Sequence, residues 1–230
     1  MNQGEGDICN LYAQSRTRLA VMMKFGLKEN RTSWFEPKFS IFPGHAAPVI
    51  RLGDGGEPEL LEMTWGFVRR PHGRAPERTG NCRDDTIRTN PFWVPSFRER
   101  RCLVPFSSYC EPLGKRPADW VWHSLRSETE ERPLGAFAGI WRSYSGPVKK
   151  DGDDITENVF AFMTCGPNTL ETAVAHERMP VLLDKEEQFE TWLRGTEDEA
   201  HALANPYPAE GIRIVQRGSS RQDLLEVAED

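Results

Sequence analysis

The feature that most constrains the fold of this chain is a series of short β-like runs separated by residues that favour turns. Clusters such as LGDGGEP and SGPVKKDGDD lie between the runs, and their Gly, Pro and Asp residues are typical of turns. The pattern therefore predicts strands. They are 47–52, 60–67, 101–106, 119–125, 133–141, 158–165 and 211–217.

Helical signals are fewer. The predicted helices are 17–26, 166–175, 184–195 and a short one at 196–204. Pro167 suits a helix entrance and Asp184 is placed to cap a helix, while Gly26 and Gly195 are placed to end two of them. Strands with a few peripheral helices and no regular alternation between the two predict the α+β class. For 230 residues we expect a single β-rich domain around a mainly antiparallel, barrel-like sheet.

The composition excludes several classes of protein. The five cysteines are odd in number and widely spaced, without a CxxC pair, so neither a zinc site nor a disulfide scaffold is expected. No ligand cluster or phosphate-cradling glycine loop is present, and we expect no metal or other cofactor. No stretch approaches the roughly 20 apolar residues of a membrane span, and the N-terminus lacks a signal-peptide pattern. A cytoplasmic protein with free thiols and no membrane partner is expected.

Positive charge is concentrated between residues 69 and 101, although the whole chain has a net charge of −6. This segment contains nine arginines, no lysine and four acidic residues, so it carries +5 and the remainder −11. Such a surface can track phosphates, although charge alone favours a solvated segment without a partner. The part 69–100 has little periodicity and several prolines, which predicts a long loop that is either functional or disordered.

Two residues are candidates for nucleophilic chemistry and proton transfer. Cys9 lies near the start of the chain, where a thiol can be reached, although a free cysteine is more often a small buried hydrophobe. His176, in VAHERMPVLL, is expected on a loop that enters a strand. An imidazole there could relay protons near neutral pH, or could simply be a surface or capping histidine.

Two further segments carry polar candidates. In PFSSYCEP, Glu111 stands at the far end of a probable strand, where flanking Tyr109 and Cys110 could raise its pKa; an ordinary turn carboxylate is the alternative. In TGNCRDDT, Asn81 could anchor a nucleophile and Arg83 could hold a phosphate. Each signal is weak by itself.

Taken together, the motifs resemble one family. The segments CNLY, WGF, GNCR, RRCLVPFSSYCEP, AFAGIW and AHERMPVLL occur in this order from Cys9 to about Gly218. In this combination the sequence resembles the SOS response-associated peptidase (SRAP) family. The resemblance implies a single domain over residues 9–230 that shields abasic sites in single-stranded DNA. It further implies a thiazolidine crosslink between an N-terminal cysteine and the ring-opened sugar.

The resemblance also implies roles for individual residues. Cys9 corresponds to the nucleophile and Asn81 to the residue that positions it. Glu111 corresponds to the acid/base near the deoxyribose, and His176 to a second proton-transfer group. Opening a hemiacetal and forming an imine both need such proton transfers near neutral pH.

A DNA-binding surface is expected beside these residues. The resemblance implies that Arg83 contacts the DNA backbone. It also places Trp65 and Pro43 where family members line the DNA groove. The basic segment adds Arg69 and Arg70. Aromatic residues near that segment are expected as stacking platforms: Trp65, Phe67, Phe92 and Trp93. The expected partner is single-stranded DNA with abasic sites, bound by a cytoplasmic monomer that associates with the nucleoid when engaged on DNA.

The position of Cys9 departs from the family, in which the cysteine follows the initiator Met. While residues 1–8 remain, the nitrogen of Cys9 is an amide and cannot form an imine. Residues 1–8 could reflect an upstream start, could be a propeptide removed by autolytic N-to-S acyl shift at Cys9, or could stay in place. We favour removal. An autopeptidase and a lyase-like crosslinking activity are then expected together. The alternatives are a noncovalent single-strand-binding module and a thiol autopeptidase without a role on DNA.

Overall fold

A computed structural model of the chain describes residues 10–113, 119–173 and 176–225. Cys9 and residues 1–8 lie outside the described residues. The strands are β1 Leu11–Gln14, β2 Lys38–Ile41, β3 Ala46–Leu52, β4 Pro58–Trp65, β5 Phe67–Arg69, β6 Glu77–Thr79, β7 Asn81–Arg83, β8 Arg101–Phe106, β9 Ser108–Leu113, β10 Asp119–Leu125, β11 Gly135–Pro147, β12 Asp154–Cys165, β13 Met179–Pro180, β14 Leu182–Leu183 and β15 Ile212–Gly218. The α-helices are α1 Arg18–Lys24, α2 Val94–Glu99, α3 Thr169–Ala173, α4 Glu186–Arg194 and α5 Glu197–His201. None of these helices is long and apolar enough to cross a membrane.

Five strands close a barrel. β12, β4, β3, β8 and β11 pair in this order, and β11 pairs again with β12. Every pairing in this circuit is antiparallel except that of β12 with β4. Three short strands, β7, β13 and β14, pair with β12 or β11 outside the circuit. The expected α+β fold with a mainly antiparallel, barrel-like sheet is confirmed.

A second sheet places β9 beside the start of the chain. Its order is β15-β10-β9-β1-β2, and all its pairings are antiparallel. Leu11 of β1 is opposite Cys110 of β9, and Glu111 is opposite Val121 of β10. β5 and β6 form a separate two-stranded ribbon, which packs on the barrel through the buried Phe67.

The core is aromatic. Trp65 and Phe137 both stack on Phe162, with ring centroids 5.1 and 4.5 Å apart, and the edge of Tyr12 meets Trp65 at 5.1 Å. All four side chains are fully buried. Each such burial contributes about 1.5–3 kcal/mol, which makes these rings a main source of the barrel's stability.

Most predicted elements occur, with changes at their ends. The predicted strands 101–106 and 119–125 coincide with β8 and β10, whereas 60–67 is divided because Gly66 has a φ of 110°. The predicted helix 166–175 is represented by α3, and residues 174 and 175 lie outside the described part of the chain.

Helix ends follow the expected chemistry in part. The Oγ1 of Thr17 accepts a hydrogen bond from the Ala20 amide at 3.3 Å, and Gly26, with a φ of 62°, follows the end of α1. Asp184 does not cap α4, which corrects our prediction. Its carboxylate instead accepts a hydrogen bond from the hydroxyl of Tyr207 at 2.8 Å, and the Gln188 side chain accepts from the amides before the helix.

The predicted long loop 69–100 is wrong. The segment contains β6, β7 and α2, and its side chains Ile87, Trp93 and Phe97 are buried in the core. The sequence did not indicate this, because these three buried residues are too widely spaced among arginines and prolines to give the period of a strand or a helix.

Candidate functional site

An open cavity of about 630 Å³ lies where β7, the turn after β2 and the start of β1 meet. It is lined by Asn10, Phe42, Pro43, Arg69, Glu77, Arg78, Thr79, Gly80 and Asn81. Three sequence-predicted residues therefore meet here: Pro43, Arg69 and Asn81. Arg70, although next to Arg69, is not among the lining residues.

Asn81 is held in place through its neighbour Gly80. The Gly80 carbonyl accepts hydrogen bonds from the indole of Trp65 at 2.9 Å and from the Phe162 amide at 3.1 Å. A Cβ at Gly80 would lie 2.6 Å from the Trp65 nitrogen, so only glycine allows this approach. The parallel pairing of Asn81 with Phe162 then fixes Asn81 at the cavity wall.

The prediction that Trp65 contacts DNA is corrected by this geometry. Trp65 is fully buried, and its indole stacks on Phe160 and Phe162 in the core rather than facing the cavity. Phe67 and Trp93 are also buried and offer no stacking surface, whereas Phe92 is only partly buried. Trp65 instead supports the turn at Gly80 through its hydrogen bond to the Gly80 carbonyl. The sequence alone could not distinguish an indole that stacks on a base from one that the core requires.

Glu111 and His176 form a second pair. Glu111 on β9 is fully buried, and its Oε2 lies 3.8 Å from the Nδ1 of His176, whose side chain is 14% exposed. A distance of 3.8 Å is too long for a hydrogen bond. The two groups therefore form an ion pair only when the imidazole is protonated. His176 follows α3, and its amide donates to the Glu171 carbonyl at 3.1 Å.

The environment of His176 suits a neutral base. Burial lowers its pKa, and a hydrogen bond to the Pro112 backbone opposes this shift in part. Proline offers only a carbonyl, so the imidazole donates in this bond. Nε2 is buried and has no hydrogen-bond partner among the described residues. Donation from Nδ1 leaves Nε2 as the basic nitrogen.

The pair and the cavity are joined by the register of β1 on β9. Because Leu11 lies opposite Cys110, the antiparallel register continued by one residue puts Asn10 opposite Glu111. Asn10 also lines the cavity. The backbone next to Cys9 thus lies between Asn81 on one side and Glu111 on the other, although Cys9 itself lies outside the described residues.

The arginines of segment 69–101 are mostly engaged within the protein. Arg78, Arg83, Arg88, Arg98 and Arg100 form ion pairs with Glu157, Asp85, Asp198, Glu197 and Glu99. Arg101 donates to main-chain carbonyls, among them that of Trp192. Among the described residues, only Arg69, Arg70 and Arg74 of this segment have neither an ion pair nor a side-chain hydrogen bond, so the basic surface is smaller than the sequence suggested.

Arg83 is held by a nearby carboxylate. Its guanidinium contacts both oxygens of Asp85, at 3.0 and 2.6 Å, and this bond lowers the pKa of Asp85. The Arg83 side chain is about half exposed. A phosphate at Arg83 would therefore compete with Asp85.

The thiols of Cys82, Cys102, Cys110 and Cys165 are all free and buried. Burial raises the pKa of each of them, that of Cys165 to about 12. None of these four is therefore suited to be a nucleophile. The remaining cysteine of the chain is Cys9.

Three buried polar residues behind the pair were not predicted as site residues. The Tyr109 hydroxyl donates to Glu171 at 2.7 Å, and the Tyr109 ring stacks on His123 at 5.1 Å. In the sequence, Tyr109 and His123 lie in apolar strand-like segments and Glu171 lies in a predicted helix, and the residues that pair are far apart in the chain. Arg178, two residues after His176, was also missed, and it forms a largely buried ion pair with Asp84.

His123 is expected to make stability depend on pH. Burial, with smaller contributions from the positive charges of His176 and Arg217, lowers its pKa from 6.5 to about 3. In the unfolded chain His123 binds a proton below about pH 6.5, whereas in the folded protein it does so only below about pH 3. The free energy of unfolding therefore falls as the pH drops from 6.5 to 3. At pH 5 the loss is about 2 kcal/mol. His123→Phe should remove this part of the slope in urea melts at pH 5 and 8.

The exposed His72→Phe is the control for the replacement of a histidine by phenylalanine, and the change of slope in His123→Phe is measured against it. Because His176 also has a lowered pKa, His123→Phe should reduce the total slope without abolishing it. An unchanged slope in the His123 variant would contradict this prediction.

The fold and the site define a class: a β-rich α+β protein with a buried carboxyl–imidazole pair next to an open polar cavity. Crystal structures of proteins from Bacteroides thetaiotaomicron and Bordetella bronchiseptica share this fold, each with a TM-score of 0.70. The first is 21% identical and each chain is covered to 90%; the second is 19% identical, with 90% of this chain and 98% of the other covered.

Residues 8–218 match the family SOS response associated peptidase (SRAP), and the chain belongs to this family. A similar relative is the abasic site processing protein HMCES of Gallus gallus, 25% identical over 81% of this chain and 62% of the relative. That of Xenopus tropicalis is 24% identical over 77% of this chain and 60% of the relative. The matched region thus spans about three fifths of these relatives.

Proposed function

We propose that this protein shields abasic sites in single-stranded DNA by forming a thiazolidine crosslink through Cys9, after residues 1–8 are removed. The observation that carries the proposal is the Glu111–His176 pair, at 3.8 Å, set by strand register next to Asn10 and the Asn81 cavity. The names of the relatives, abasic site processing proteins, support the choice of substrate.

In the proposed reaction, each residue has a role in proton transfer, bond formation or positioning. Glu111 protonates the ring oxygen of the abasic sugar as the ring opens to the aldehyde. The free amine of Cys9 adds to the aldehyde carbon, and water leaves to give an imine. The Cys9 thiolate then adds to the imine carbon, and the nitrogen takes up a proton. His176 accepts and returns protons through Nε2, and Asn81 orients Cys9 by hydrogen bonds.

The same residues can release the terminal amine. The Cys9 thiolate attacks the carbonyl of Ile8, the peptide bond breaks, and the amine of Cys9 takes up a proton. Water then hydrolyses the thioester and frees residues 1–8. His176 is suited to take the thiol proton in the first step, since burial keeps its imidazole neutral near pH 7.

DNA would enter along the cavity. Arg69 lies in its wall, and Arg70 and Arg74 lack ion pairs within the described residues, so these three cations are the strongest candidates for phosphate contacts. Phe92, partly buried and 4.7 Å from the guanidinium of Arg69, is the stacking candidate that remains.

Intact mass provides the test. Purified protein incubated with an abasic single-stranded oligonucleotide and then heat-denatured should lack residues 1–8 and gain the mass of the oligonucleotide less one water. Cys9→Ala should keep residues 1–8 and form no adduct. The same oligonucleotide with all its bases intact is the control for the substrate.

Two results would contradict the proposal. A heat-stable adduct formed by Cys9→Ala would exclude Cys9 as the nucleophile. A wild-type chain that keeps residues 1–8 and gives no adduct would exclude the thiazolidine; salt-sensitive binding of intact DNA, equal in Cys9→Ala, would then identify a noncovalent module.

A further inference from the structure

A buried hydrogen bond ties the two elements that carry the acid and the base. The Tyr109 hydroxyl on β9 donates to the Glu171 carboxylate on α3 at 2.7 Å, and both residues are fully buried. Tyr109 and Glu111 are two residues apart on one strand, so their side chains share a face of the sheet. The bond therefore starts from the same strand face as Glu111.

The other end of the bond leads to His176. The main-chain carbonyl of Glu171 accepts the His176 amide at 3.1 Å, so the residue that Tyr109 holds by its side chain holds His176 by its backbone. The Asn168 side chain accepts from the Glu171 amide at 3.0 Å and fixes the start of the same helix. A shift of Glu171 must therefore move His176 relative to Glu111.

The direction of the Tyr109 hydroxyl is itself fixed. His123 lies opposite Tyr109 in the strand register, and the two rings stack with centroids 5.1 Å apart and planes inclined by 23°. Phe137 and Phe106 pack edgewise against the same ring. The ring cannot follow a moving partner, so the bond acts as a spacer between β9 and α3.

We propose that Tyr109 and Glu171 are positioning residues that set the distance between Glu111 and His176. This role rests on the proposed function of that pair. The pair reacts with DNA, whereas Tyr109 and Glu171 act through it and touch no reacting atom. Burial raises the pKa of Glu171, and the hydrogen bond from Tyr109 opposes this shift. The hydroxyl therefore favours the ionised carboxylate, which accepts a shorter hydrogen bond than a neutral carboxyl group does.

Tyr109→Phe removes the hydroxyl and leaves the ring in its stack. It should lower the rate of adduct formation at saturating abasic DNA about tenfold to a hundredfold while the affinity for DNA stays the same, since small misplacements of catalytic groups have effects of that size. Glu171→Gln, whose amide oxygen can still accept the Tyr109 bond, should retain most of the rate. Glu171→Leu should behave like Tyr109→Phe.

A chemically matched control is Tyr207→Phe. This variant also removes a tyrosine hydroxyl that donates to a carboxylate, that of Asp184, at 2.8 Å. It should lose a comparable hydrogen bond and leave the rate unchanged. Thermal melts of all variants measure how much of any rate loss is a loss of folded protein.

The titration of His176, followed by NMR of its imidazole, tests the positioning without DNA. In Tyr109→Phe the loosened segment admits water, so the pKa of His176, lowered by burial, should rise towards its ordinary value; in Tyr207→Phe it should not move. If the wild-type protein forms no adduct, the proposed function is refuted, but the comparison of the His176 pKa between the variants still tests the positioning role. An equal titration and an equal rate in wild type and Tyr109→Phe would overturn the positioning role.

Discussion

Glu111→Gln is expected to lower the rate of adduct formation with abasic single-stranded DNA by about 10²- to 10⁴-fold. The amide has nearly the volume of the carboxyl group, so the strand and the buried site are retained, but it can neither give nor take the proton that opening the sugar requires. The measurement is the single-turnover rate at saturating DNA. Thermal melting of the same sample reports whether the variant is folded.

Glu59→Gln is the matched control. Glu59, like Glu111, is a strand carboxylate, but it is only partly buried, it pairs with Arg51 at 2.9 Å, and it lies away from the cavity lined by Asn81. The control should react at the wild-type rate. A Glu111→Gln rate within threefold of wild type would remove Glu111 from the chemistry.

The 3.8 Å between Glu111 and His176 adds a second expectation to the same experiment. Groups in contact act as a unit, so the double variant Glu111→Gln with His176→Gln should lose much less rate than the product of the two single losses. Independent effects would mean that the two residues serve separate steps.

The sequence predicted the barrel because its strands are locally encoded. The runs 101–106 and 119–125 coincide with β8 and β10, where apolar and β-branched residues end at clear turn residues. β7 was missed, because its three residues pair with β12 across a separation of about 80 residues and carry no period of their own. Such a strand depends on tertiary pairing rather than on its own sequence.

The structure brings Glu111 and His176 to within 3.8 Å of each other, and the roles that the resemblance implied for them stay predictions. Trp65, by contrast, serves the core. Arginine was counted as surface charge, although Arg88 pairs with Asp198, 110 residues later in the chain. Composition counts the charge of a segment, and only the fold decides how much of it is neutralised by other parts of the chain.

Asp223→Ala is expected to destabilise the protein by about 3–5 kcal/mol, because the buried guanidinium of Arg132 loses its buried carboxylate and keeps only the exposed Glu131, 3.2 Å away, as an ion-pair partner. Arg132 is 3% exposed and Asp223 is fully buried, and the guanidinium donates to both carboxylate oxygens at 3.0 Å. For a chain of this size the melting temperature should fall by about 6–20 °C. The hydroxyl of Ser108, at the start of β9, also loses its acceptor.

Two variants separate this effect from simple loss of a surface charge. Glu190→Ala breaks the exposed pair with Arg194, 2.7 Å long, and should cost less than about 1 kcal/mol. Asp223→Leu with Arg132→Met replaces the buried pair by apolar side chains and should recover most of the stability. Because Asp223 contacts the strand that carries Glu111, the Asp223→Ala variant should also react more slowly with abasic DNA at temperatures where it is still folded. A loss of less than 1 kcal/mol would mean that the segment around Asp223 does not hold β9 in solution.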